Sequence, residues 1–146
     1  MSRNLRKARG RAGGHPFVMY QRRVLNDPKF QRLSPRAHKV LNYLAGQIRG
    51  NNNGDLSIAW KIAREKGWTS NGSLRDGARE LVDAGFIVHT RQGGRNVANL
   101  YALAWFPIDA CGEKLDVSPT RVAPNTWLTI GNSSEPVAVQ REPDVV

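Results

Sequence analysis

The fold is decided by residues 56–103, which read LSIAWKIAREKGWTSNGSLRDGARELVDAGFIVHTRQGGRNVANLYAL. Their first part predicts a short helix that ends near Lys66, because Gly67 stands where a left-handed residue terminates a helix. Asp55 or Ser57 is expected to cap the start of this helix. Three of its apolar side chains are expected to face inward: Ile58, Ile62 and Ala63.

A second helix is predicted in the same segment. It begins after Ser70, whose hydroxyl suits the free amide groups of a first turn, and it ends at Gly85. Four apolar residues at helical spacing form its inward side: Leu74, Ala78, Leu81 and Val82. Two strand-like runs follow, residues 86–90 and 97–103, and a tip at residues 92–96 joins them. The order of helix, turn, helix and hairpin is that of a helix-turn-helix with a wing.

The central helix of the core is predicted upstream of this segment. Ser34 and Pro35 form a strong start, since serine caps free amide groups and proline tolerates the first helical position. The helix is expected to run to about Arg49 with one apolar stripe along it: Ala37, Val40, Leu41, Leu44, Ala45 and Ile48. Residues 50–54 then form a loop, and residues 17–30 predict an extended segment followed by a helical turn.

The second helix of the deciding segment turns a polar face outward, and this face is the candidate binding surface. Its members are concentrated in the N-terminal half: Ser70, Asn71, Gly72, Ser73, Arg75, Asp76 and Arg79. Arginine matches the paired acceptors of guanine, and asparagine matches the donor and acceptor of adenine. An ordinary solvated face is the alternative, favoured by Asp76 and Glu80, because phosphates repel carboxylates.

The tip of the hairpin carries basic residues on both sides of two glycines. A plain turn needs the glycines but has no need of the arginines, so a contact with the phosphate backbone is favoured over a simple turn. The residues predicted to make it are Arg91, Gln92, Arg95 and Asn96.

Basic charge is concentrated at the start of the chain. The 146 residues include 22 Lys or Arg and 12 Asp or Glu, for a net charge of +10. Residues 1–49 hold 12 basic residues against 1 acidic, residues 50–106 hold 7 against 5, and residues 107–146 hold 3 against 6. This gradient favours a polyanionic partner, bound by an arm that contains Arg3, Arg6, Lys7, Arg9 and Arg11. A tail that only aids solubility is the alternative interpretation of the arm.

Composition divides the chain into three parts. Residues 1–15 form the basic arm, predicted to be disordered when free, and residues 16–110 form one domain. Residues 111–146 form a proline-containing tail, partly disordered. Within this tail, Lys114 to Ile130 are apolar enough to lie extended across the domain or across a partner subunit.

The motifs of common enzymes and metal sites are not found. The glycines at 10–14 lack the lysine of a phosphate-binding loop, and no Gly-x-Ser-x-Gly elbow occurs. His15, His38 and His89 stand apart without metal-ligand spacing, and the single cysteine, Cys111, suits a reducing compartment. We therefore expect a cytoplasmic protein that is not an enzyme and has no cofactor or metal. No apolar run approaches the ~18 residues of a membrane span, and glycines follow the basic start where a secretory signal has an apolar segment.

Four segments resemble the winged helix-turn-helix DNA-binding proteins of phages and mobile elements: residues 33–37 (LSPRA), 52–57 (NNGDLS), 81–87 (LVDAGFI) and 100–103 (LYAL). The sequence is similar in particular to the N-terminal, origin-binding domain of phage replication proteins. The resemblance covers about residues 17–108 and implies the fold and DNA binding. Because only 38 residues follow Ile108, too few for a further domain, a regulator of transcription or replication is expected in place of a complete initiator.

Together these patterns predict a mainly helical α+β fold with a small hairpin wing, a winged helix-turn-helix. Helix 70–84 is expected in the major groove of double-stranded DNA, with wing 91–96 on the backbone and the arm adding affinity. A homodimer on a repeated site, associated with the nucleoid through DNA, is expected. Two alternatives remain open: an interaction module whose tail around Trp127 docks on a protein partner, and an RNA-binding protein that uses exposed aromatic side chains.

Overall fold

The computed structural model describes residues 15–130, which form a mixed α+β fold. In this part of the chain the elements are α1 (Arg22–Leu25), α2 (Pro28–Gln31), α3 (Pro35–Ala45), β1 (Leu56–Ser57), α4 (Trp60–Glu65), α5 (Asn71–Ala84), β2 (Ile87–Arg91) and β3 (Leu100–Leu103). Two 3-10 turns follow, at Cys111–Glu113 and Thr126–Leu128. The three strands form one antiparallel sheet in the order β1-β3-β2. None of the helices within residues 15–130 is long and apolar enough to cross a membrane.

The core is built on the contact between α3 and α5. The hydroxyl of Ser34 accepts a hydrogen bond from the amide of Ala37 at 3.1 Å, so α3 begins as predicted. Its apolar stripe is buried from Ala37 to Ala45, and the inward side of α5 is buried at Leu74, Ala78 and Leu81. A Cβ atom on Gly77 would lie 2.6 Å from Val40 Cγ2, so glycine lets the two helices approach closely.

The central helix ends at Ala45, so the predicted end near Arg49 is wrong. After the helix, the side chain of Gln47 forms two hydrogen bonds with the backbone of Ser57, one to the carbonyl and one from the amide, each 2.9 Å long. These bonds draw the chain away from the helix axis toward β1. Ile48 still packs against the core, although it lies beyond the helix.

The helix predicted from Asp55 or Ser57 to Lys66 is shorter than expected. Leu56 and Ser57 form a strand that pairs with β3, and α4 begins only at Trp60, without a side-chain cap. Ile62 is 54% exposed, so its predicted inward position is wrong, whereas Ile58 and Ala63 are buried as expected. Pairing with a distant strand has overridden the local helical pattern.

The second helix of the deciding segment and its two caps are confirmed. The hydroxyl of Ser70 accepts from the amide of Ser73 at 3.1 Å, and Gly85 adopts the left-handed conformation with φ of 89°. The hairpin is also present, but its second strand begins at Leu100 and not at Val97. A single isolated bridge, between Gly94 and Val97, closes the tip within the described residues.

The segment after β3 packs back onto the domain. The ring of Trp127 is 1% exposed and stacks on Phe86 with centroids 5.8 Å apart. Beside it the hydroxyl of Thr126 donates to the carbonyl of Gly85 at 2.6 Å, and the backbone amide of Asn125 donates to the carbonyl of Ala104 at 2.8 Å. Of the two surfaces expected for this part of the tail, the domain and a partner subunit, residues 125–127 pack on the domain, and Thr126–Leu128 form a 3-10 turn where an extended course was expected.

Residues 15–20 have no regular structure but also contact the core. The indole of Trp105 donates to the carbonyl of Met19 at 2.9 Å, and the rings of Tyr20 and Trp105 lie 5.0 Å apart. Two single-turn helices, α1 and α2, then lead to Ser34. The sequence predicted only one helical turn in this region.

Candidate nucleic-acid interface

The outward face of α5 is open to solvent. Because the inward side of α5 is buried, the residues opposite it must point away from the core. Four of the residues predicted for the surface are exposed: Ser70, Arg75, Asp76 and Arg79. The other three are partly buried: Asn71, Gly72 and Ser73. The predicted polar face is thus divided between a partly covered first turn and an exposed arginine-containing middle.

Asp76 lies between two arginines on this face. Its carboxylate is 3.7 Å from Arg36 of α3 and 3.6 Å from Arg79 of the next turn of α5. The side chains are 50%, 46% and 73% exposed for Asp76, Arg36 and Arg79, so both ion pairs are solvated and each contributes little to stability. The negative charge that argued against phosphate contact is therefore balanced by two guanidinium groups.

Glu80 is turned away from this face, toward the start of α3. Its carboxylate accepts hydrogen bonds from the amide of Ser34 at 2.8 Å and from the hydroxyl of Ser34 at 2.7 Å. Burial alone would raise the pKa of Glu80, but these two bonds and the nearby Arg36 and His38 outweigh it and hold the pKa below 4.5. Glu80 therefore stabilises the α3–α5 contact, and its charge is satisfied within the protein.

The hairpin tip uses part of its predicted contact set for its own structure. The guanidinium of Arg91 donates to the carbonyl of Ala98 through Nε at 3.1 Å and Nη2 at 2.8 Å, across the hairpin. The backbone amide of Gln92 donates to the carboxylate of Asp116 at 2.7 Å. Arg95 and Asn96 are exposed at the end of the tip, and Asn96 adopts a left-handed backbone conformation with φ of 59°.

A chain of contacts connects the side chains at the base of the hairpin. The ring of Tyr101 on β3 stacks on His89 of β2 with centroids 5.2 Å apart. Burial raises the pKa of Tyr101, and the positive charge of Arg79 partly opposes that rise. On the other side, His89 Nε2 is 3.1 Å from Asn99 Oδ1, which also accepts from the amide of Gly93 at 2.6 Å. His89, Asn99 and Tyr101 therefore form one connected group at the base of the hairpin, which α5 enters directly through Gly85.

Sequence reasoning did not select four residues of this arrangement: Arg36, His89, Asn99 and Tyr101. The sequence indicates an isolated histidine at His89, because its place beside Tyr101 depends on the strand register. The contact of Arg36 with Asp76 depends on how α3 crosses α5. A basic residue directly after a helix start is the only signal that the sequence offers for Arg36.

Other features of the described chain bear on the alternatives. Three of the four tryptophans are buried: Trp68 at 8%, Trp105 at 2% and Trp127 at 1% exposure. Trp60 is partly buried. Residues 15–130 hold no group of three or more His, Cys, Asp or Glu side chains that would suit a metal ion. The arm residues Arg3, Arg6, Lys7, Arg9 and Arg11, and the end of the tail after Ile130, lie outside the described residues.

Comparison of the sequence with protein-family models, with curated proteins and with solved structures gives no match.

Proposed function

We propose that this protein is a winged helix-turn-helix that binds double-stranded DNA. In the proposed complex α5 lies in the major groove, the tip of the β2–β3 hairpin follows the adjacent phosphates, and the basic arm adds further phosphate contacts. The biological role we propose is the regulation of transcription or replication in a phage or mobile element, by a homodimer on a repeated site.

The observation that carries the proposal is the position of Arg79. It is 73% exposed on the outward face of α5, and α5 leads through Gly85 directly into the β2–β3 hairpin. A helix face and a hairpin on the same side can contact a groove and its flanking backbone at once. Arg75 on the helix and Arg95 at the tip are also exposed, so the helix and the hairpin each present a cation to solvent.

The order of the elements also supports a winged helix. The described chain runs helix, strand, helix, helix, strand, strand from α3 onward, and the short strand β1 joins the hairpin through β3. Gly67, with φ of 106°, makes the turn between α4 and α5. This is the arrangement in which the second helix of a helix-turn-helix is presented beside a wing.

The two alternatives have less support. Trp127, which was the candidate for docking a protein partner, is buried against Phe86 of its own domain. The RNA alternative requires exposed aromatic rings, and the buried tryptophans of the described chain do not provide a stacking platform.

The test is a titration of the full chain with duplex DNA at two salt concentrations. Arg75→Ala and Arg79→Ala should each weaken binding to a selected duplex about fivefold or more, since a base contact by arginine contributes about 1 kcal/mol or more of discrimination. The matched control is Arg121→Ala, which removes an exposed arginine from the segment after β3. Equal effects of all three substitutions would contradict a specific role for α5.

A further inference from the structure

The outward face of α5 keeps a carboxylate where a purely electrostatic surface would have none. Asp76 is half exposed, close to Arg36 and Arg79, on the side proposed to meet DNA. A carboxylate near phosphates weakens the binding of every DNA sequence, so its presence needs a reason other than affinity. This inference rests on the proposed function and concerns how the same surface chooses its sequence.

Two neighbouring acidic residues of α5 both reach toward α3. Glu80 accepts hydrogen bonds from Ser34, and Asp76, one turn earlier, pairs with Arg36. The carboxylate of Asp76 therefore lies between Arg36 of α3 and Arg79 of α5. Its negative charge attracts both guanidinium groups, including that of the longer side chain beside it on α5.

That longer side chain is Arg79. Positions three apart on a helix are neighbours, and Arg79 Nη1 lies 3.6 Å from Asp76 Oδ1. A guanidinium that is 73% exposed has many rotamers, and attraction to the carboxylate of Asp76 favours those that keep it near that group, which narrows its range of orientations. Bidentate contact with a guanine edge requires such an orientation, while contact with a phosphate does not.

We propose that Asp76 is a positioning residue: by pairing with Arg36 and Arg79, it orients the Arg79 guanidinium toward a base edge and so gives α5 sequence preference at the expense of affinity. Arg36 acts together with Asp76 and Arg79, because it pairs with the other oxygen of the Asp76 carboxylate and brings a cation from α3 to the interface.

The test compares Asp76→Asn with Asp83→Asn in the full chain. Asp83 is exposed on α5 about two turns further along the same face, so its replacement removes the same charge without touching the Arg36–Asp76–Arg79 cluster. Two probes are used: a duplex selected from a random-sequence pool by the wild-type chain, and a scrambled duplex of equal length. Both variants should bind the scrambled duplex more tightly than the wild type. Asp76→Asn alone should lower the ratio of selected to scrambled affinity, by about fivefold or more.

A base-by-base comparison separates positioning from a general change of charge. In a series of selected duplexes with one altered base pair each, Asp76→Asn should reduce the affinity lost on altering one particular base pair. Arg79→Ala should reduce the affinity lost at that same base pair. The double variant should be no less selective than Arg79→Ala alone, because the two residues act on one contact. Thermal melting of each variant checks that the fold is retained, as expected for an exposed isosteric replacement.

The outcomes are distinct. If no duplex binds the wild-type chain, the proposed function fails. A second outcome is that the wild-type chain binds with sequence preference, but the ratio of selected to scrambled affinity is the same for Asp76→Asn and Asp83→Asn. In that case the proposed function stands and the role of Asp76 is refuted. Binding of all duplexes with equal affinity by the wild-type chain also refutes it, since no preference exists for Asp76 to supply.

Discussion

The side-chain amide of Asn53 pairs with the backbone of Leu103 as a neighbouring strand would. Asn53 Oδ1 accepts from the amide of Leu103 at 2.8 Å, and Nδ2 donates to its carbonyl at 3.0 Å. Nδ2 also donates to the carbonyl of Pro107 at 2.9 Å, and the residue is 3% exposed. One buried side chain thus continues the β1–β3 pairing to the end of β3 and fixes the start of the returning segment.

We expect Asn53→Ala to lower the free energy of unfolding by about 1–3 kcal/mol, because it leaves buried backbone groups of Leu103 without partners. Urea denaturation measures the change. Asn51→Ala, at an exposed position of the same loop, is the control and should stay within about 0.5 kcal/mol of the wild type. A loss no larger at Asn53 than at Asn51 would show that the pairing does not stabilise the fold.

Gly77→Ala should destabilise the protein even though alanine favours a helix by about 1 kcal/mol. The new Cβ would lie 2.6 Å from Val40 Cγ2 and 3.2 Å from the carbonyl of Arg36, and overpacking of this kind costs about 1–3 kcal/mol. Gly72→Ala is the matched control, since a Cβ there meets only Ser70 Oγ, at 3.8 Å, and should be neutral or stabilising. Thermal melting distinguishes the two, and a rise in melting temperature for Gly77→Ala would contradict the close approach of α3 and α5.

Part of the stability should be lost in acid through Glu80. Its pKa is lower in the folded protein than the ordinary 4.5, so its contribution is fully present above the unfolded value and declines as the pH falls through the folded one. Glu80→Gln should lower stability at neutral pH by about 1 kcal/mol and reduce the slope of stability against pH below 4.5. Chemical denaturation at a series of pH values tests this, and an unchanged slope in the variant would assign the acid sensitivity to other carboxyl groups.

The segment after β3 should behave as part of the domain. Trp127→Ala removes a ring that is 1% exposed, and we expect a loss of about 3–5 kcal/mol in the free energy of unfolding. Val122→Ala, at a side chain that is 74% exposed, should be nearly neutral. If Trp127→Ala were also neutral, the packing of this segment on Phe86 would be marginal and the domain would end near residue 110, as its composition suggested.

Local chemistry made some elements predictable and left others hidden. Ser70 and Gly85 mark the ends of α5 because capping depends on residues within a few positions. Leu56 and Ser57 form a strand because they pair with Tyr101 and Leu100, and their own sequence gave no sign of these distant partners. Ile62 is exposed within a helix that is shorter than the apolar pattern suggested.

In the candidate site, too, some features depend on nearby residues and others on distant contacts. The exposure of Arg75 and Arg79 follows from the apolar stripe of α5, which the sequence displays. The pairing of Arg36 with Asp76, the bond from Arg91 to Ala98 and the stacking of His89 on Tyr101 all depend on tertiary contacts. Single-sequence patterns therefore selected the surface but not the network within it.

The measurement that bears most directly on the proposed interface is retention on duplex DNA resin by a chain that begins at His15, compared with the full chain over a salt gradient. Residues 15–130 hold both the outward face of α5 and the hairpin, so the shortened chain should still bind and should elute at lower salt, because it has lost the phosphate contacts of the arm. Adding Arg75→Ala and Arg79→Ala to the shortened chain should then abolish retention. Complete loss of retention on removal of residues 1–14 alone would contradict the proposal, since all DNA affinity would then belong to the arm.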